Sequence, residues 1–222
     1  MNWKKYWNEN ASHNKDDAVE QVQRKDIKSS FLTANHIIRS LEIQRDDVVL
    51  DVCCGNGLLT QQIAKKCHDI TGVDQSEELI AIAKQEFKEM NCRYILGSAL
   101  ELENVLSSKF DKIYLQFSFQ YFDKKGEGEK VIRQLLKCLK PSGKIFIGDI
   151  TNKSKLAVFY DTPIKKLRLL KGKILRKNVM GKFWKPSELD VICNRLNVKG
   201  THLNQPNELP YAHYRFDYLI EN

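Results

Sequence analysis

Residues 47–57 read Asp-Val-Val-Leu-Asp-Val-Cys-Cys-Gly-Asn-Gly. A short apolar run that leaves through a glycine turn is the pattern of a buried strand feeding a loop. Downstream of it, Leu58, Leu59, Ile63, Ala64 and Cys67 predict a helix, and residues 70–74 predict a second strand. Ser76-Glu77-Glu78 then places a capping hydroxyl and two first-turn acids before a helix carrying Leu79, Ile80, Ala83 and Phe87. Further strands are predicted at 94–96, 111–117 and 144–149, with a helix on Val131, Ile132, Leu135, Leu136 and Leu139 before the last of them. Upstream, Phe31, Ala34, Ile37, Ile38 and Leu41 recur at the spacing of an amphipathic helix. Strand and helix alternate at crossover length, which predicts an α/β fold: a doubly wound, Rossmann-like, mostly parallel sheet of seven strands. The alternation lapses after Ile150 and resumes with a helix at Pro186-Ser187-Glu188. Two final strands, 198–203 and 214–220, are joined by too few residues for a crossover helix, so they are expected to be antiparallel.

The chain has 222 residues, 36 Lys and Arg against 28 Asp and Glu, and a formal net charge of +8. That length fits one domain spanning 1–222, with 1–27 as an N-terminal arm or lid and 151–185 as a basic cover before the last helix. No apolar run is long enough to span a membrane, and the first twenty residues lack a signal-peptide pattern, so a cytoplasmic protein is expected. The six cysteines form no C-x-x-C pair and no cluster at metal-ligand spacing, so reduced thiols and no metal site are expected.

In an open parallel sheet, ligands sit beyond the carboxyl ends of the strands where strand order reverses. A dinucleotide loop there would read G-x-G-x-x-G/A, but Thr60 stands at the third position and Asp51 closes the strand. A carboxylate would repel a pyrophosphate and suits a ligand with a positive end. The stretch Val-Val-Leu-Asp-Val-Cys-Cys-Gly-Asn-Gly resembles the first motif of the class I S-adenosylmethionine-dependent methyltransferases, with Cys53 where the first glycine usually stands.

The resemblance runs over roughly 45–150 and implies S-adenosylmethionine as cofactor. It implies that Asp51 organises the contacts of the methionine ammonium and that the loop holding Cys53, Gly55 and Gly57 passes close to the cofactor. Asp74, followed by Gln75, falls where the family holds the ribose hydroxyls. Ser98 and Ala99 fall at the adenine, Leu115 and Gln116 at the methyl end, and Gln120 one turn further on. Leu139-Lys140-Pro141-Ser142-Gly143-Lys144 matches the family's turn into the fifth strand.

Methyl transfer is an in-line attack on a sulfonium methyl, so the protein's first task is orientation. A base is needed only for a nucleophile protonated at neutral pH. His213, in a polar-aromatic string with Tyr211 and Tyr214, is one candidate, against a surface or core-edge histidine. Asp149, ending the fifth strand, is the other, against a simple helix cap. Trp3, Tyr6 and Trp7 either close over the cofactor or pack on the sheet.

Residues 165–185 contain no acidic residue. Such a stretch suits a phosphorylated metabolite, an anionic membrane surface or nucleic acid, or forms a solvated helix face. Residues 116–119 read Gln-Phe-Ser-Phe, not the Asn/Asp-Pro-Pro-aromatic motif of amine-directed nucleic-acid enzymes, and there is no Pro-Cys pair. The preferred acceptor is therefore a hydroxyl or amine of a small metabolite, sugar- and phosphate-bearing metabolites included. The rivals are an RNA methyltransferase using the basic stretch, a non-catalytic cofactor-binding partner protein and a dinucleotide-dependent oxidoreductase.

Overall fold

The computed structural model describes residues 1–222 except 15, 16, 24, 88, 123, 175–179 and 222; side chains at 168 and 171–174 also lie outside the described set. Helices α1 (Trp3–His13) and α2 (Ile27–Leu41) precede the sheet. There follow β1 (Val48–Val52), α3 (Thr60–Ala64), β2 (Asp69–Asp74), α4 (Glu77–Glu86), β3 (Cys92–Leu96) and β4 (Phe110–Gln116). The second half holds α5 (Glu127–Cys138), β5 (Leu139–Thr151), α6 (Leu156–Phe159), α7 (Pro163–Ile174), α8 (Pro186–Arg195), β6 (Lys199–Asn204) and β7 (Arg215–Glu221).

The seven strands form one sheet in the order β3-β2-β1-β4-β5-β7-β6. Pairing is parallel from β3 through β5, and β7 is antiparallel to both β5 and β6. The chain winds outward through β2 and β3 on one side and β4 and β5 on the other, so strand order reverses between β1 and β4. The crevice expected for a ligand lies there.

Strand alternation divides the core. Val49, Tyr114 and Phe146 face Ala34, Ile37, Leu41, Leu59 and Ile63 of the α2 and α3 layer. Leu50, Val52, Ile113, Leu115, Ile145 and Ile147 face Val131, Ile132, Leu135, Leu189 and Ile192 of the α5 and α8 layer. The helix ends are capped as their residue types suggest: Asp26 accepts from the Ser29 amide at 2.6 Å, and Ser76 Oγ from the Leu79 amide at 3.2 Å. No helix among the described residues is long and apolar enough to cross a membrane.

Three non-glycine residues take left-handed backbone angles just past neighbouring strands: Cys53 (φ 63°) after β1, Phe117 (φ 61°) after β4 and Asp149 (φ 59°) near the end of β5. Such angles cost about 1–3 kcal/mol each and concentrate at functional sites. Asp149 sits where the β5–β7 register shifts between Ile147 and Ile150, a bulge that re-aims its side chain.

Candidate functional site

A cavity of about 440 Å3 lies beyond the carboxyl ends of β1, β2, β3 and β4. Asp51, Cys53, Gly55, Asp74, Gln75, Ser98, Ala99 and Gln116 all line it, as do Trp3 and Trp7 from α1. Most residues singled out from the sequence for cofactor contact are thus brought to one place.

Asp51, only 2% exposed, accepts hydrogen bonds at Oδ2 from Thr60 Oγ1 and Tyr114 Oη, both at 2.6 Å. Thr60 therefore has a reason to replace glycine: its hydroxyl fixes the carboxylate beneath the loop. Burial and the neighbouring carboxylate push the Tyr114 phenol well above its usual pKa, so it stays a donor. Asp74, 8% exposed, accepts from the amides of Gly55 at 3.0 Å and Ser76 at 2.9 Å. Burial pushes its carboxyl upward, and the amides of Ser76, Gly55 and Gln75 oppose that shift.

The loop between β1 and α3 needs its glycines. Gly55 has φ +59°, and a Cβ there would lie 2.8 Å from Val22 Cγ1; Gly57 has φ +84°, and a Cβ would lie 2.7 Å from Tyr94 Oη. Gly57→Ala is expected to destabilise the protein by about 2–5 kcal/mol, the sum of a left-handed alanine and an overpacked contact, read from denaturant unfolding. Cys53 holds its left-handed angle without glycine's freedom. Burial raises the thiols of Cys53 and Cys54 well above their ordinary range, so neither is a thiolate nucleophile.

Helix α1 covers the cavity. Trp3 stacks on Tyr121 with ring centroids 4.2 Å apart, and Trp7 packs edge-on against the same ring at 5.8 Å. Lys4 Nζ pairs with Glu77 at 2.7 Å, Asn8 Nδ2 donates to Glu77 at 3.1 Å, and Ser76 Oγ donates to Asn8 at 2.5 Å. A second tie joins the arm to the loop: the fully buried Asn56 donates to the Ala18 carbonyl and to Gln21 Oε1, each at 2.8 Å.

Other singled-out residues lie elsewhere. Leu115 is fully buried in the α5-side core, because consecutive strand residues face opposite ways and Gln116 takes the cavity side. Gly57 shapes the turn without lining the cavity, and Tyr6 lies behind Trp3 and Trp7, its hydroxyl accepting from Gln23 at 2.6 Å. Gln120 turns back to donate to the Phe117 carbonyl at 2.8 Å. His213 is exposed and, with Tyr211, lines a separate cavity of about 390 Å3.

Asp149 does not line the main cavity, and it is Asn152 that caps the turn after β5. Its carboxylate accepts from Gln116 at 2.9 Å and Gln205 at 3.0 Å. Gln205 also donates to Asp217 at 2.7 Å, and Asp217 pairs with His36 of α2 at 2.7 Å. This buried chain fixes Gln116 at the cavity wall.

Of the basic stretch, Lys165 is paired with Asp161 at 2.8 Å, while Leu175, Arg176 and Lys177 lie outside the described residues. No group of three His, Cys, Asp or Glu suited to a metal occurs among the described residues. Asn56, Phe117, Ser118, Tyr121 and Phe122 also belong to the cavity wall, although none of them is assigned a contact there from the sequence. The only hint was polar Asn56 between two glycines.

Residues 49–143 match the family model described as a methyltransferase domain. The chain is 29% identical over 112 residues to an uncharacterized methyltransferase of Schizosaccharomyces pombe, a match covering 46% of this chain and 38% of that protein. It is 32% identical over 113 residues to the ubiquinone biosynthesis O-methyltransferase of Coxiella burnetii, covering 50% of this chain and 47% of the relative. The chain thus spans less than half the length of these two curated relatives. In fold it is similar to the N-methyltransferase NodS from Bradyrhizobium japonicum in complex with S-adenosylhomocysteine, with TM-score 0.69, 14% identity and coverage of 100% and 99% of the two chains. The sheet order and the loop after β1 agree with the family match: residues 49–143 correspond to a methyltransferase domain, and the whole chain has the fold of that neighbour.

Proposed function

We propose that the main cavity binds S-adenosylmethionine and that the protein transfers its methyl group to a hydroxyl or amine of a small metabolite. The observation that carries this reading is the pair of buried carboxylates, Asp51 and Asp74, set at the ends of adjoining strands across one glycine turn. The residues fit the cofactor. Two anions suit an ammonium group and a diol and would repel a pyrophosphate. The volume is that of a small-molecule site. Gln116 Oε1 and Trp3 Nε1, both from residues on the cavity wall, are buried and meet no hydrogen-bond partner among the described residues. When bound, the cofactor supplies an electrophilic methyl group.

In this reading Asp51 orients the ammonium end, held in place by Thr60 and Tyr114. Asp74 accepts from the ribose hydroxyls, Gly55 and Gln75 lie along the cofactor, and Ser98 and Ala99 meet the adenine. Gln116, steadied through Asp149, faces the methyl end. Catalysis then rests on orientation and on excluding water, and no side chain is assigned as a base. The whole of 1–222 acts as one methyltransferase domain, with the arm as lid and 151–185 as cover. The six free cysteines suit a cytoplasmic setting.

The lid assignment has its own test. Replacing Trp3 and Trp7 together by Ala is expected to speed dissociation of S-adenosylhomocysteine about tenfold or more, since two indoles leave the wall. Surface plasmon resonance reads the rate; an unchanged rate would make α1 a packing element only. The acceptor is identified by incubating cell extract with protein and isotope-labelled S-adenosylmethionine and following label by mass spectrometry. Label in a small metabolite supports the proposal, and label confined to RNA contradicts it.

A further inference from the structure

Phe117 lines the main cavity and Tyr211 the second one, and their rings, 5.6 Å apart between centroids, form part of the partition. Against this partition stands Arg215, the first residue of β7, only 4% exposed. Its guanidinium carbon lies 4.3 Å from the centroid of Phe117, 5.1 Å from that of Tyr214 and 5.4 Å from that of Tyr211. Nη1 donates to the Asp149 carbonyl, and Nε is buried with no partner. Among the described residues the Arg215 side chain makes no ion pair and no other hydrogen bond; its backbone amide donates to the Tyr211 carbonyl at 3.1 Å.

A guanidinium carries five N–H donors in a fixed plane and stays charged at any working pH. Aromatic rings serve its faces by cation–π attraction but give nothing to its edges. Among the described residues, the edge formed by the buried Nε and its neighbour Nη2 meets no acceptor. That edge is a two-pronged fork matching the two oxygens of a carboxylate or phosphate, and the surrounding rings hold the fork in one plane. The second cavity adds Lys25 and Lys165 to its wall, and its one carboxylate, Asp161, is engaged by Lys165.

We propose that Arg215 receives an oxyanion of the methyl acceptor, a carboxylate or a phosphate, while the acceptor's nucleophile reaches the main cavity past Phe117. Because Nε is enclosed, the Tyr211 ring, in the turn before β7, moves aside to admit it. This inference rests on the methyltransferase reading above and narrows its substrate class to anionic acceptors. A purely structural Arg215, stacked to brace the turn before β7, is the competing account.

The test uses the whole chain saturated with S-adenosylhomocysteine and three probes of similar size: benzoate, phenyl phosphate and the neutral benzamide. Calorimetry is expected to show at least one anion binding tenfold or more tightly than benzamide, and which anion wins identifies carboxylate or phosphate. Arg215→Gln should erase that margin while S-adenosylhomocysteine affinity stays within twofold. If that variant does not fold, Arg215→Lys, which keeps the charge but not the fork, should shrink the margin at least threefold. Benzamide binding as well as both anions, or a margin unmoved by either substitution, would overturn the proposal. Failure of S-adenosylhomocysteine to bind the unaltered protein would instead strike the methyltransferase reading itself.

Discussion

Asp74→Ala is expected to weaken S-adenosylhomocysteine binding by about 100-fold or more while the far-ultraviolet circular dichroism stays that of the folded protein. A hydrogen bond to a charged group contributes about 1.5–3 kcal/mol, and the ribose offers two hydroxyls to one carboxylate. The loss of both is therefore about 3–6 kcal/mol, with 1.4 kcal/mol to each factor of ten. Of the two amides that lose their acceptor, that of Gly55 borders the cavity and that of the buried Ser76 does not, so a loss of about 1–3 kcal/mol of stability is expected with the fold retained. The same carboxylate sets a pH dependence. Burial raises its pKa above 3.8, and the diol needs the ionised form. Affinity should be level above the raised value and fall as pH drops through it, a fall absent in Asp74→Ala. Stability moves oppositely: a carboxyl held protonated by the fold favours folding below its unfolded pKa, and this contribution is lost as pH rises through the folded one.

Asp51→Ala is expected to act on the fold as well as on the ligand. Thr60 and Tyr114 are fully buried, and each directs its hydroxyl at the same carboxylate oxygen. Without it two buried donors lose their acceptor, at about 1–3 kcal/mol each. The expected destabilisation is about 2–6 kcal/mol, several degrees or more in the thermal midpoint of a chain this size. Asp51→Asn separates the two roles. Its amide oxygen can still accept from both hydroxyls, so most of the stability should return. The negative charge facing the ammonium does not return, so S-adenosylhomocysteine affinity should remain depressed. Equal stability of Asp51→Ala and the unaltered protein would show that Thr60 and Tyr114 find other partners.

The sheet was legible in the sequence because its signals are local. The run Val48–Val52 with its glycine turn, the crossover-length alternation and the short link before the last strand predict the parallel run and the antiparallel β6–β7 pair that the structure contains. Boundaries shifted where pairing rather than composition decides them: β5 begins at Leu139 because Leu139 pairs with Phe110 beyond the intervening turn. At the site, strand direction alone brings Asp51 and Asp74, at the ends of neighbouring strands, to the wall of one crevice. Leu115 and Gln116 are not separable by sequence position alone: adjacent strand residues face opposite layers, and it is Gln116 that reaches the cavity while Leu115 enters the core.

Contacts across long sequence separation left no trace in the pattern. Asn56 lies within the glycine turn, yet its partners Ala18 and Gln21 are 38 and 35 positions away in the arm. Thr60 stands in the sequence only as a departure from glycine, and the reason for it, a hydroxyl donating to Asp51, exists only in the folded loop. His213 had suitable chemistry, but the loop between β6 and β7 carries it to the second cavity. Arg215 drew no attention at all, because its unusual feature is the absence of a partner at a buried edge.

The central claim is that the two strand-end carboxylates select a thioether nucleoside bearing an ammonium group over a dinucleotide. Calorimetric titration of the same protein with S-adenosylhomocysteine and with NADH tests it most directly. One equivalent of S-adenosylhomocysteine is expected to bind, NADH is not, and Asp74→Ala should lose most of the heat of the first. Tight binding of NADH with no heat from S-adenosylhomocysteine would contradict the account.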